Sequence, residues 1–299
     1  MGTEQYREPK KLNSANQRLL DQIIGVVEDY GQQGYKLTLR QLYYQLVSQD
    51  IIPNTMLSYK KIGKMLADAR MCGQVDWNII EDRVRVPKIP SSWDGIQDIV
   101  KSALYSYRRN RWQGQDNYVE VWVEKDALSG VLLPITQEYH VHLMVNKGYS
   151  SVSAMHDAAL RIMDEQDDKS CTILYFGDHD PSGEDMVRDI KDRLTEFGCD
   201  IEVEKVALTM AQIQRYNPPP NPVKMTDSRA GRYTDRHGDE SWELDALKPQ
   251  VLKNLVTSNI QNLLDMDKFQ DIVERENAEK RALEKFAKDY AKKHPENED

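Results

Sequence analysis

The run Cys171-Thr-Ile-Leu-Tyr-Phe-Gly-Asp178-His-Asp180-Pro-Ser-Gly183 ends an apolar stretch in two carboxylates spaced i, i+2. Side chains two apart on an extended segment point the same way. Asp178 and Asp180, just past the carboxyl end of a buried strand, would present two hard oxygen ligands at the crevice where open α/β sheets bind ligands. Oxygen donors of this kind suit magnesium. The same residues also compose a polar turn with a helix N-cap, because Asp, Pro, Ser and Gly are turn formers. A second segment separates the two readings. Tyr118-Val-Glu-Val-Trp-Val123 reads as another strand and ends in Glu124-Lys125-Asp126. In a parallel βαβ arrangement both strands end on one edge of the sheet, so Glu124 faces the aspartate pair. Three carboxylates at one edge repel one another unless a cation or protons neutralise them. Glu124, Asp178 and Asp180 therefore ask for a Mg2+ ion, whereas His179 points to the opposite face and is not expected to be a ligand.

Glu124 after its strand, then Asn146-Lys147-Gly148-Tyr149-Ser150-Ser151, then Asp178-His179-Asp180-Pro181-Ser182-Gly183, closely resembles the Toprim domain of topoisomerases, bacterial-type primases and some nucleases. The resemblance covers roughly residues 117–208. It implies a Rossmann-like parallel sheet with the three acids as magnesium ligands, and Lys125, which matches the family's run, as a phosphate contact.

The elements ahead of these strands have an organisation of their own. Asn13-Ser14 caps a first helix from about Ala15 to Tyr30, with Leu19, Leu20, Ile23, Ile24 and Val27 on one stripe. Thr38 caps a second helix over 39–47, and a third runs from Leu57 to Met71 with Lys60, Lys61, Lys64 and Arg70. Trp77-Asn-Ile-Ile-Glu-Asp-Arg83-Val-Arg85-Val-Pro then reads as a short hairpin. Three helices and a basic hairpin suggest a winged-helix fold. Lys60, Lys61 and Lys64 would approach the major groove of double-stranded DNA, and Arg83 and Arg85 its phosphates.

On the second helix Leu39, Leu42, Tyr43 and Leu46 form an i, i+3, i+4, i+7 apolar stripe that assigns Tyr43 to the core. Tyr44 points elsewhere, and it shares a side of the helix with Arg40, four residues earlier. A phenol is a poor nucleophile at neutral pH. An adjacent cation favours the phenolate and steadies a phosphodiester transition state. Arg40-Gln41-Leu42-Tyr43-Tyr44 in a winged helix ahead of a Toprim domain resembles the topoisomerase VI A subunit and its meiotic double-strand-break relatives. By that resemblance Tyr44 is the nucleophile, Arg40 the arginine beside it, and Glu124, Asp178 and Asp180 the Mg2+ ligands. It also implies a homodimer in which one subunit's tyrosine works with the other's acids. The chain has no Walker-type phosphate loop, so any ATP dependence would come from a separate GHKL-type ATPase subunit. Two alternatives remain at this stage: a Toprim nuclease using metal-activated water, and a non-enzymatic winged-helix regulator.

Composition agrees with this organisation. Through Gln115 the chain carries 17 Lys and Arg against 12 Asp and Glu, or +5, and the remainder carries 23 against 37, or −14. A basic front can hold a polyanion while metal masks the acids behind it. The 3 cysteines are scattered, which argues against a zinc cluster or disulfide framework and for a reducing cytoplasm. Neither a signal-peptide core nor a membrane-length apolar run is visible. Arg188, Lys191 and Arg193 read as a solvated helix face. Beyond Asn217-Pro-Pro-Pro-Asn-Pro222 a long polar loop is expected to Asp239, whose Lys224, Arg229 and Arg232 could close over DNA. Glu243 and Asp245 follow as further acids. The reading is thus an α/β chain: a CAP-like winged-helix domain over residues 1–115, a Toprim domain over 116–250, and a helical extension over 251–299 with a disordered end.

Overall fold

The computed structural model describes residues 5–80, 90–146 and 148–293. Arg83 and Arg85 of the expected wing, and Lys147, lie outside the described residues.

Three helices open the chain: α1 (Ser14–Gln32), α2 (Leu39–Ser48) and α3 (Met56–Met71). Each starts where a short polar side chain accepts a backbone N–H, Asn13 from Asn16, Thr38 from Gln41 and Thr55 from Ser58. Thr38 and Gln41 cap each other reciprocally. The apolar stripes of the three helices meet in one core around Ile23, Leu42, Leu46 and Ile62. A fourth helix, α4 (Ile96–Ser106), precedes the sheet.

The remaining elements are β1 (Asn117–Val123), α5 (Ser129–Glu138), β2 (His142–Val145), α6 (Val152–Gln166), β3 (Ser170–Phe176), α7 (Pro181–Glu196), β4 (Glu202–Ala207), α8 (Met210–Tyr216), β5 (Asn221–Pro222), α9 (Ala230–His237), β6 (Glu240–Ser241), α10 (Pro249–Asn262) and α11 (Met266–Lys293). β1 to β4 form a parallel sheet in the order β2-β1-β3-β4. Strand alternation sends Val119, Val121, Val123, Leu174 and Phe176 to a core closed by α5 and α10. It sends Tyr118, Trp122, Ile173 and Tyr175 to a core closed by α6 and α7. The result is a three-layer α/β unit. α10, expected in the helical extension, contributes Leu252, Val256 and Ile260 to the first core.

The order changes direction at β1. β2 lies on one side and β3 on the other, so the gap between the carboxyl ends of β1 and β3 is a topological switch point, where such sheets leave a crevice. Val123 and Phe176 are in register there, and the next residues carry the acids.

The stretch expected as a polar loop to Asp239 contains α9 and a two-stranded pairing of β5 with β6. Val223, Ala230 and Tyr233 give it a small buried core, which the polar composition masks. Among the described residues no helix is long and apolar enough to cross a membrane.

Candidate functional site

Glu124 and Asp178 meet at the switch point: the Asp178 N–H donates to Glu124 Oε2 at 3.0 Å. Asp178 is 5% exposed. Its Oδ1 accepts from Lys125 Nζ at 2.7 Å and from the Leu244 N–H at 2.8 Å. Asp180 does what the turn reading predicts, since its Oδ1 accepts from the Gly183 N–H at 2.7 Å and caps α7. Gly183 is required there. A Cβ on it would lie 2.2 Å from the Asp178 carbonyl oxygen, a distance no side chain tolerates.

His179 turns to the other side, as its position between the two aspartates predicts. It stacks on Trp242 with centroids 5.9 Å apart and meets Glu184 at 2.9 Å through Nδ1. Its backbone pairs with that of Trp242 in both directions at 2.9 Å. This bridge draws the segment after β6 against the acid loop, and with it Glu243 and Asp245. Lys125 Nζ sits among Asp178, Glu243 and Asp245, bonding the first two and lying 3.5 Å from the third. Lys125 was expected to meet a phosphate; its ammonium neutralises the acid edge. Burial opposes its charge, but Asp178, Asp245 and Glu243 hold its pKa well above the lysine range. Burial pushes Asp178 up against the pull of Lys125. Burial acts the same way on Glu243, yet Lys125 and Arg40 bring its carboxyl down to about 2.

Arg40 arrives from α2. Its Nη2 donates to Glu243 at 2.7 Å and its Nε to Asp245 at 3.0 Å, while the guanidinium lies 5.7 Å from the Tyr44 ring centroid. The expected pairing of Arg40 with Tyr44 is therefore present. Tyr44 points off the α2 stripe as expected, yet it is not left to solvent. It is 7% exposed, because the face of α2 that a single helix would leave to solvent packs at the junction with the sheet unit. Nor is a phenolate favoured: burial and Glu243 push its phenol up to about 12, outweighing Arg40, Lys125 and a hydrogen bond with Asn221. Tyr43 is buried as its stripe predicts, its hydroxyl donating to Asn54 at 2.9 Å.

Among the described residues, no three acid, histidine or cysteine side chains converge into a preformed metal cage. The donor set nevertheless suits a hard divalent cation. Asp245 Oδ1 is buried with no hydrogen-bond partner among the described residues, an orphan carboxylate oxygen of the kind a cation satisfies.

Of the expected DNA contacts, Lys60, Lys61 and Lys64 are exposed on α3. Arg70, on the same helix, stacks 4.3 Å over Trp77. Lys224 and Arg232 are exposed, whereas Arg229 is pinned by Asp227 at 2.8 Å and Asp185 at 3.3 Å. Sequence reasoning missed the role of Asn221, which bonds Asn54 at the foot of α3, and no local signal marks it. Glu243 and Asp245 carry a signal already used at Asp178 and Asp180, two acids spaced i, i+2 after a short strand. The chain matches no protein-family model, and no curated protein is detectably similar to it.

Proposed function

We propose that the protein cleaves double-stranded DNA in the manner of the topoisomerase VI A subunit that its motifs resemble, with a winged-helix N-terminal unit supplying Tyr44 and a Toprim-type sheet unit supplying the acids. The observation that carries this reading is the reach of Arg40, beside Tyr44, to Glu243 and Asp245 across more than two hundred residues of chain. Within one chain the tyrosine helix and the acid edge meet, which departs from the resemblance, where one subunit's tyrosine works with the other's acids.

In this reading the Tyr44 hydroxyl attacks a DNA phosphorus and the bond to one sugar oxygen breaks, leaving a phosphotyrosyl ester and a free sugar hydroxyl. The phenolic proton is lost as the departing oxygen gains one. Because an ester replaces an ester, reversal reseals the strand without fuel. Arg40 steadies negative charge on the phosphate. Glu124, Asp178 and Asp180, with Asp245 beside them, would hold Mg2+, which supplies Lewis-acid neutralisation of phosphate charge. Cutting both strands requires two copies of the chain, so a homodimer belongs to the proposal, and controlled strand passage would need a separate GHKL-type ATPase.

The burial of Tyr44 favours a second reading, hydrolysis by metal-activated water. The two separate in one experiment, in which end-labelled supercoiled DNA is incubated with the protein and Mg2+ and then denatured without protease. A DNA–protein adduct that disappears in Tyr44→Phe is expected. Cleavage without an adduct, unchanged in Tyr44→Phe, transfers the function to the water mechanism. Binding without cleavage, indifferent to Asp178→Ala and to chelation, leaves only a DNA-binding regulator.

A further inference from the structure

A cleft of about 180 Å³ between α7 and α9 is lined by Arg188, Arg229, Arg232 and Arg236, an unusual concentration in the acidic half of the chain. Its two acids are already engaged. Glu184 meets His179 at 2.9 Å and Lys205 at 2.5 Å, while Asp185 meets Arg188 at 2.9 Å and Arg229 at 3.3 Å. Arg232 and Arg236 are exposed and have no acidic partner among the described residues. They stand one helical turn apart on α9, so both guanidinium groups reach the same side. Two arginines this close, beside acids already paired elsewhere, suit an anion with repeated charges, to which each offers a planar fork of donors.

The location narrows the anion. Pro181, the residue after Asp180, forms part of the cleft wall. Tyr233, another wall residue, donates to the His179 carbonyl within the acid loop at 2.9 Å. The segment carrying α9 is also tied to the foot of α3 through Asn54 and Asn221. The cleft thus lies against the loop that carries Asp178 and Asp180, on the side to which His179 turns, and its segment is tied to the residue just ahead of the α3 cap.

We propose that this cleft is a second DNA-docking site, in which Arg232 and Arg236 hold backbone phosphates flanking the point of cleavage. The inference rests on the DNA-cleaving reading but adds a contact surface that the reading does not require. Its test is the binding of a duplex long enough to cross both patches, followed by fluorescence anisotropy over a salt series. Arg232→Glu/Arg236→Glu is expected to weaken binding by about tenfold or more and to reduce the salt slope by about 2, the loss of two phosphate contacts at about 0.9 each. Arg232→Lys/Arg236→Lys should keep the slope. Arg232→Ala/Arg236→Ala serves if the charge reversal perturbs folding, which circular dichroism would show. Unchanged affinity and slope in these variants, with binding still weakened by Lys60→Glu/Lys61→Glu/Lys64→Glu, would overturn the cleft while leaving the DNA reading intact. Failure of the unaltered protein to bind duplex DNA would overturn both.

Discussion

Lys125 places a cation inside the acid edge. Four carboxylates close to one another at a strand edge carry a large repulsive energy, and one ammonium bonded to Asp178 and Glu243, 3.5 Å from Asp245, offsets much of it. Removing one partner from such a buried set costs about 3–5 kcal/mol, because the others stay desolvated and unpaired. Lys125→Met should therefore lower Tm in EDTA by several degrees, and Mg2+ should recover part of the loss in this variant more than in the unaltered protein. Thermal melts with and without the ion check this, and equal Mg2+ responses would count against a metal at the acids. Asp178 and Asp180 have different surroundings although they are only two residues apart. Asp180 caps α7 through one oxygen, while its neighbour two residues back faces the acid cluster.

At the scale of elements, the segment leading into β1 is clamped to α11 by Glu276. Its carboxylate is fully buried and accepts from Arg111 at 2.8 Å, Lys280 at 2.7 Å and the Arg109 N–H at 3.0 Å. Burial alone would raise its pKa, but the bonds from Arg111, Lys280 and Arg109 bring it down to about 2. A depressed folded-state pKa means that this clamp stabilises the fold fully above the ordinary glutamate value near 4.5 and loses that contribution as pH falls through about 2. The Tm of the unaltered protein should accordingly fall across that window. Glu276→Gln should melt lower at neutral pH, with the difference shrinking as the acid limit is approached. A pH-independent difference would show that packing, not charge, carries the effect.

The described residues form bodies with separate cores, one shared by α1, α2 and α3, two on the faces of the sheet and a small one at α9. The contacts that join the first body to the others include several polar ones: Tyr35 to Gln250 at 3.0 Å, Arg40 to Glu243 and Asp245, and Asn54 to Asn221. Bodies with their own cores and a polar seam unfold independently more readily than a single core does. Calorimetry should show two transitions, and raising salt from about 0.1 to 1 M, which shortens the Debye length from about 10 to 3 Å, should separate them further by weakening the Arg40 pairs. A single transition at both salt concentrations would show that the seam couples the bodies more tightly than its polar contacts account for.

The sequence by itself determined the caps of the first two helices, the two central strands, and the positions of Glu124 and Asp178 at their ends. These follow from local alternation, side-chain capping and the rule that parallel strands finish on one edge. It also assigned Tyr43 to the core and turned His179 away from the acids. Only the tertiary structure decided that Lys125 would face inward to three carboxylates, that the Trp242–His179 bridge would bring Glu243 and Asp245 beside Asp178, and that Arg40 would reach them while Tyr44 became buried. Helical periodicity identifies the stripe that packs within one body. It carries no record of a second surface supplied from two hundred residues away, and that surface sets the burial and the charge around Tyr44.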